Sequence, residues 1–158
     1  ATWAGAAAIV EHAMDEYGRV DILVNNATFG FNNDLWRFTE EEFDATIASN
    51  LKGYFAMTRH VVPHMAAQRK GAIVNTSSGS GFGHPSHAAY SAAKEGVIGL
   101  TRTSALELGR FGIRTNAFDG HLRDPSGTDA NFDVAAELAA QDLLPDQSEP
   151  AGRENGPL

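Results

Sequence analysis

The sequence predicts an α/β fold built on a parallel sheet. Short apolar runs, Asp21–Asn25, Ala72–Thr76 and Ile113–Phe118, are bounded by glycine and polar residues, as buried strands are. Longer stretches with helical spacing separate them, and strands joined through helices imply right-handed crossovers to parallel neighbours. A length of 158 residues suits one domain with a real core, and an apolar fraction of 42% excludes a chain disordered throughout.

Residues 1–17 read as a helix, with Ala4, Ala7, Ala8, Val10 and Met14 as its core stripe and Gly18 as its stop. The strand Asp21–Asn25 runs into polar Asn25-Asn26-Ala27. Thr39, followed three residues later by Glu42, is a capping box with acidic residues at the positive end of the helix dipole. That helix is expected to run through Phe43, Ile47, Leu51, Phe55 and Val62 to about Gln68, bending at Pro63. Gly71 turns into the strand Ala72–Thr76, and residues 77–81 form the loop at its carboxyl end. The next helix is Ala88–Leu108. Its Ala89, Ala92, Ala93, Gly96 and Gly99 permit either close approach of another helix or close packing on the sheet. Gly112 ends that element before the strand Ile113–Phe118. Asp119-Gly120 reads as a turn and 131–141 as a short helix with Val134, Leu138 and Ala139 on its apolar side. Pro145, Pro150, Gly152, Gly156 and Pro157 mark a tail. The expected organisation is one domain over 1–143 and a disordered tail over 144–158.

The chemistry is carried by Tyr90 and Lys94. Four apart on a helix, they project from one face. An ammonium about 4 Å from a phenolate, at an effective dielectric near 20, is worth roughly 4 kcal/mol. That is about three pK units, enough as an upper bound to bring a phenol towards neutral pH, where it can act as a general acid or base. A bare Tyr-x-x-x-Lys is ordinarily a surface pair; its company is what distinguishes this one. Ser78 stands twelve residues upstream at the carboxyl end of a strand, where ligands bind in open α/β sheets, and Asn50 sits inside the preceding long helix.

In order and spacing, the Asn25-Asn26-Ala27 strand end, the helical Asn50, the Ser77-Ser78 strand end and Tyr90-Ser-Ala-Ala-Lys94 resemble the short-chain dehydrogenase/reductase family. The match extends over about 100 residues, from Tyr17 to Ala117. The resemblance implies a Rossmann-type doubly wound sheet and an oxidoreductase that interconverts a carbonyl and a secondary alcohol with NAD or NADP. Tyr90 would exchange the proton with the substrate oxygen. Lys94 would favour the phenolate and hold the nicotinamide ribose. Ser78 would orient the substrate oxygen, and Asn50 would anchor a water relaying protons from Lys94. Asn25 and Ala27 would lie along the cofactor near its adenine side. Many family members have a serine-to-tyrosine spacing one residue longer, which would select Ser77. Ser78 is retained because the glycine-rich loop can absorb a deletion, whereas sliding the strand end would flip its faces. The family's pattern also implies a homo-oligomer formed through the helices around 40–68 and 88–108.

The sequence departs from that family in two places. No glycine-rich turn precedes residue 25, so relative to the family two βα units, on the order of 60 residues, are not represented before Ala1. The chain is therefore expected to be the carboxyl-terminal part of such a domain, a partial sheet lacking the pyrophosphate cradle. After Ala117 the family's proline-containing loop is not matched, and no cofactor contact is assigned there.

A net charge of −8 argues against nucleic-acid or anionic-membrane partners; the resemblance implies a small carbonyl or alcohol as the partner. With no cysteine there is no disulfide, thiol nucleophile or thiolate metal site. No apolar run reaches about 18 residues and no signal pattern opens the chain, so the cytoplasm is the expected location. His60 and His64 have helical spacing but no third ligand, and no metal is expected. His84 and His87 flank the substrate side of Tyr90, as substrate contacts, proton relays or a polar loop. Two other readings are set against the oxidoreductase. One is a catalytically inactive remnant that acts by association, which the missing glycine turn favours and the retention of Asn50, Ser78, Tyr90 and Lys94 opposes. The other is the extended epimerase/dehydratase branch, opposed by the short Gly/His loop before Tyr90.

Overall fold

A computed structural model describes residues 1–119. The helix expected over 131–141, the tail from 144 and Gly120 of the expected turn lie outside the described residues. The first helix, α1 (Trp3–Tyr17), is capped by the Thr2 hydroxyl accepting from the Gly5 N–H at 3.0 Å. It closes on Gly18, whose φ of 71° is the left-handed conformation expected of its stop. Its buried stripe is Ala6 and Val10, with Met14 packed against the core; Ala4 and Ala8 are exposed. Val10 and Met14 of the expected stripe are covered and Ala7 is half-buried, while Ala6 is buried in place of Ala4 and Ala8, because alanines carry no size signal and the packing partner decides which of them is covered.

Three strands follow: β1 (Ile22–Asn25), β2 (Gly71–Ser77) and β3 (Ile113–Asp119). They form a parallel sheet in the order β1-β2-β3, as expected, pairing Asn25 with Asn75 and Ser77 with Asp119. The crossover between β1 and β2 is α2 (Glu40–Ile47), a π-helical turn (Ala48–Lys52) and α3 (Gly53–Gln68). The capping box at Thr39 and Glu42 is formed in both directions. The interruption of this helix is at Asn50 and not at Pro63, through which α3 continues. A π turn adds one residue to the repeat and shifts the phase of everything after it. Between β2 and β3 runs α4 (Ala88–Leu108).

Asn25, Ile73, Asn75 and Ser77 all point to the face that carries the helices. On that face Val10, Leu23, Val61, Met65, Ile73, Leu108 and Ile113 make the core. Each such side chain, fully buried, contributes on the order of 1.5–3 kcal/mol. Nearer the carboxyl ends the layer becomes polar. The Asn25 amide donates to Asn75 Oδ1 at 2.8 Å and to Thr58 Oγ1 at 3.3 Å. Asn75 donates in turn to Thr101 Oγ1 at 2.9 Å, and Thr101 donates to the Val97 carbonyl at 2.8 Å. This chain ties β1, β2, α3 and α4 into one register. Because Asn25 and Asn75 are almost wholly buried, breaking it would strand several polar groups.

The small residues of α4 divide between two faces. Ala89 and Ala93 are buried, and a Cβ on Gly96 would come within 2.8 Å of Leu51 on the π turn. Ala92 and Gly99 are exposed, and Gly99 has open space around it. Close packing within the layer therefore accounts for three of the five small residues.

Candidate active site

Tyr90 and Lys94 sit one turn apart near the amino end of α4, beside the carboxyl end of β2. Lys94 is completely buried. Its Nζ donates to the Thr76 carbonyl at 2.8 Å and to Tyr54 Oη at 3.3 Å, which leaves one N–H uncommitted. The ammonium lies 5.0 Å from the centre of the Tyr54 ring and 5.4 Å from that of Tyr90, so it sits between two phenols. Burial pulls the Lys94 pKa down to about 8. Burial, with Tyr90 as the second cause, pushes the Tyr54 hydroxyl upward, so it stays protonated at any ordinary pH.

Tyr54 was not singled out from sequence. It stands four residues after Asn50, the separation that would put the two on one helical face, but the π turn between them alters that phase. Asn50 itself is fully buried and both of its amide N–H donors are used. Nδ2 donates to the Phe29 carbonyl at 2.5 Å and to the Thr46 carbonyl at 2.9 Å, and Oδ1 accepts from the Thr28 hydroxyl at 2.7 Å. The side chain therefore clamps the loop after β1. Within the clamped loop, a Cβ on Gly30 would lie 3.3 Å from Thr46 and 3.8 Å from the Tyr90 ring, so the loop is pressed against the tyrosine.

The two serines differ in orientation. Ser77 is buried and its hydroxyl donates to the Lys94 carbonyl at 3.2 Å, joining β2 to α4. Ser78 leaves the strand half-buried and caps the short 3₁₀ turn Gly79–Phe82 by accepting from the Ser80 N–H at 3.2 Å. Being half-buried, it is the more accessible hydroxyl of the pair. Asn25 and Ala27 line an apolar cavity of about 370 Å³ with Leu23, Tyr54, Met57 and the start of α1, while the Asn25 amide itself is held in the buried chain.

His84 and His87 stack at 4.3 Å, and the His87 ring meets Tyr90 edge-on at 6.0 Å. Burial first, and then His84, lowers the His87 pKa, favouring the neutral ring. The Asn33 N–H donates to the Ser86 carbonyl at 2.9 Å, which joins the loop after β1 to the loop before Tyr90. Lys94, His87 and the loop held by Asn50 thus meet around Tyr90 at the carboxyl end of the sheet, where Ser78 leaves β2. Among the described residues no group of three or more histidine, aspartate or glutamate side chains is placed to hold a metal ion, and no helix is long and apolar enough to cross a membrane.

Comparison with known proteins yields concordant matches. The family model described as short chain dehydrogenase matches residues 1–130. The 3-oxoacyl-[acyl-carrier-protein] reductase FabG of Thermotoga maritima is 50% identical over 110 residues, covering 69% of this chain and 45% of that protein. Among solved structures, NAD+-bound xylitol dehydrogenase superposes with a TM-score of 0.72 at 32% identity, covering 75% of this chain and 46% of the other. Levodione reductase superposes with a TM-score of 0.71 at 40% identity and the same coverage. The chain spans about half the length of the curated relatives it matches.

Proposed function

The chain belongs to the short-chain dehydrogenase family, and on that premise we propose that it carries the proton-transfer half of an NAD(P)-dependent site interconverting a carbonyl and a secondary alcohol. The observation that carries the reading is the Tyr90–Lys94 pair: a buried ammonium on the face of a tyrosine ring, at the strand end where Ser78 emerges.

The residues present fit the nicotinamide-ribose half of a dinucleotide. Lys94 has one N–H left for a ribose hydroxyl, while Asn25 and Ala27, expected nearer the adenine side, border the cavity at the end of β1. No strand–glycine turn–helix unit that would cradle a pyrophosphate occurs among the described residues. When bound, the dinucleotide supplies or accepts the hydride, which no side chain can carry. In the reducing direction Tyr90 Oη gives its proton to the oxygen that gains negative charge; in the oxidising direction the phenolate takes it back. The buried Lys94 ammonium, 5.4 Å from the centre of the Tyr90 ring, favours that phenolate. Ser78 Oγ donates to the same substrate oxygen and fixes its approach. Asn50 holds the Thr28–Phe31 loop, and so Gly30, beside the tyrosine, and is the residue expected to anchor the relaying water.

The relatives named above act on carbonyl and alcohol groups, which supports a small carbonyl or alcohol as the substrate here. A homo-oligomer through α3 and α4 is also part of the reading. A groove of about 420 Å³ between these helices is lined by Phe55, Val62, Pro63, Leu100 and Leu108, and Phe55 is half exposed. The deciding experiment is Tyr90→Phe in the protein carrying this sequence. Turnover of ketones with NADH or NADPH should fall by at least about a hundredfold, the low end of a general acid's contribution, with dinucleotide binding nearly unchanged. Retained turnover would remove Tyr90 from the chemistry.

A further inference from the structure

We propose that Tyr54 is a positioning residue of this site: its hydroxyl and ring fix the Lys94 ammonium at the carboxyl end of β2, on the face of the Tyr90 ring. A lysine has a flexible four-carbon stem and would sample many rotamers unless its head group is held. Here the stem is wholly buried, and the head is bonded to two acceptors from different elements, the Thr76 carbonyl on β2 and Tyr54 Oη on α3. Tyr54 is itself 2% exposed. A buried hydroxyl is costly unless bonded, and a phenylalanine would fill nearly the same volume. Its oxygen accepts from Lys94 and also meets the Thr76 side chain, so the phenol ties α3 to both β2 and α4.

The arrangement gives one helical crossover two grips on Tyr90. Asn50 on the π turn presses the Gly30 loop against the ring, and Tyr54, just beyond that turn, holds the cation that faces it. The titratable side chains flanking the ammonium are Tyr54 from α3 and Tyr90 from α4. β2 offers a main-chain carbonyl, while Lys52 of the π turn and Glu95 of α4 are exposed to solvent. Tyr54 thus supplies a neutral acceptor and a ring face to an otherwise desolvated charge, and both favour the protonated lysine.

The inference rests on Lys94 being the cation of the proposed site, but its test does not use turnover. The chain has three lysines (Lys52, Lys70, Lys94) and three tyrosines (Tyr17, Tyr54, Tyr90), so ¹³Cε-lysine and ¹³Cζ-tyrosine labelling of the full chain gives few, assignable signals. They can be followed by solution NMR or, in an associated sample, by magic-angle spinning. Lys94 should titrate below the ordinary lysine value. Tyr54→Phe should lower its midpoint by about one further pH unit, the size expected for a lost hydrogen bond to a charged group. Tyr54→Leu, which also removes the ring, should lower it more, and Tyr17→Phe should leave it in place. An unchanged Lys94 midpoint in folded Tyr54→Phe protein would overturn the proposal even if Tyr90→Phe abolishes turnover. Should Tyr54→Phe not fold, the wild-type nuclear Overhauser contact between the Lys94 ε-methylene and the Tyr54 ring decides, and its absence overturns the proposal.

Discussion

Replacing Lys94 by methionine should make the protein more stable at neutral pH while destroying the proposed site. Burial lowers the lysine's pKa from its ordinary 10.5 to about 8. Below pH 8 both folded and unfolded chains carry the proton, and the folded state bears the whole cost of the buried charge. Between about pH 8 and 10.5 the unfolded chain binds more protons than the folded one, so stability rises with pH, and above 10.5 the penalty is gone. The difference of two and a half units corresponds to about 3 kcal/mol at 1.36 kcal/mol per unit. Methionine removes the charge and keeps much of the volume, but it leaves the Thr76 carbonyl and Tyr54 hydroxyl without their donor, at about 1–3 kcal/mol. The two effects are comparable at pH 7, so the variant should range from neutral to stabilised by about 2 kcal/mol. The sharper quantity is the pH dependence. Urea unfolding of both proteins between pH 7 and pH 10 should show wild type gaining about 2–3 kcal/mol relative to Lys94→Met. Taking the difference cancels Tyr54, whose raised pKa lowers stability in both proteins only as the pH passes about 10, the ordinary phenol value. A difference that stays flat across this range would refute the claim that the ammonium is desolvated.

Four further outcomes follow from the packing. Gly96→Val should destabilise by about 1–3 kcal/mol, because its Cβ meets Leu51, whereas Gly99→Ala on the same helix should stabilise by up to about 1 kcal/mol; paired urea melts compare them. Ser77→Ala should cost about 1 kcal/mol of stability through its lost bond to the Lys94 carbonyl, while Ser78→Ala should cost turnover, and a larger activity loss at Ser77 would move the proposed role to that residue. Asn75→Leu should destabilise by at least about 2 kcal/mol in thermal or urea unfolding, since it strands the Asn25 amide in the layer beneath the sheet. Phe55→Glu on the α3–α4 groove should shift the oligomeric state measured by light scattering towards monomer if copies pair there.

The strands, the two long crossovers, the capping box and the left-handed stop at Gly18 were legible because each rests on residues near one another in sequence. Spacing alone placed Tyr90 and Lys94 on one helical face, and the run into Ser77-Ser78 marked the strand end. What the sequence could not determine depended on contacts between distant segments. Local rules expected a bend at Pro63, while the π turn at Asn50 decided the phase of α3 and brought Tyr54 to Lys94, a partner 40 residues away. The ammonium was expected to serve Tyr90 directly; the fold bonds it to a strand carbonyl and a second tyrosine and sets it on the Tyr90 ring face. Nor does spacing show that the Asn50 side chain holds the Gly30 loop. Periodicity specifies which residues share a face of one element. Only the packing of elements on the sheet determines which buried donor meets which acceptor, because that choice is made by desolvation and distance between groups the chain brings together from afar.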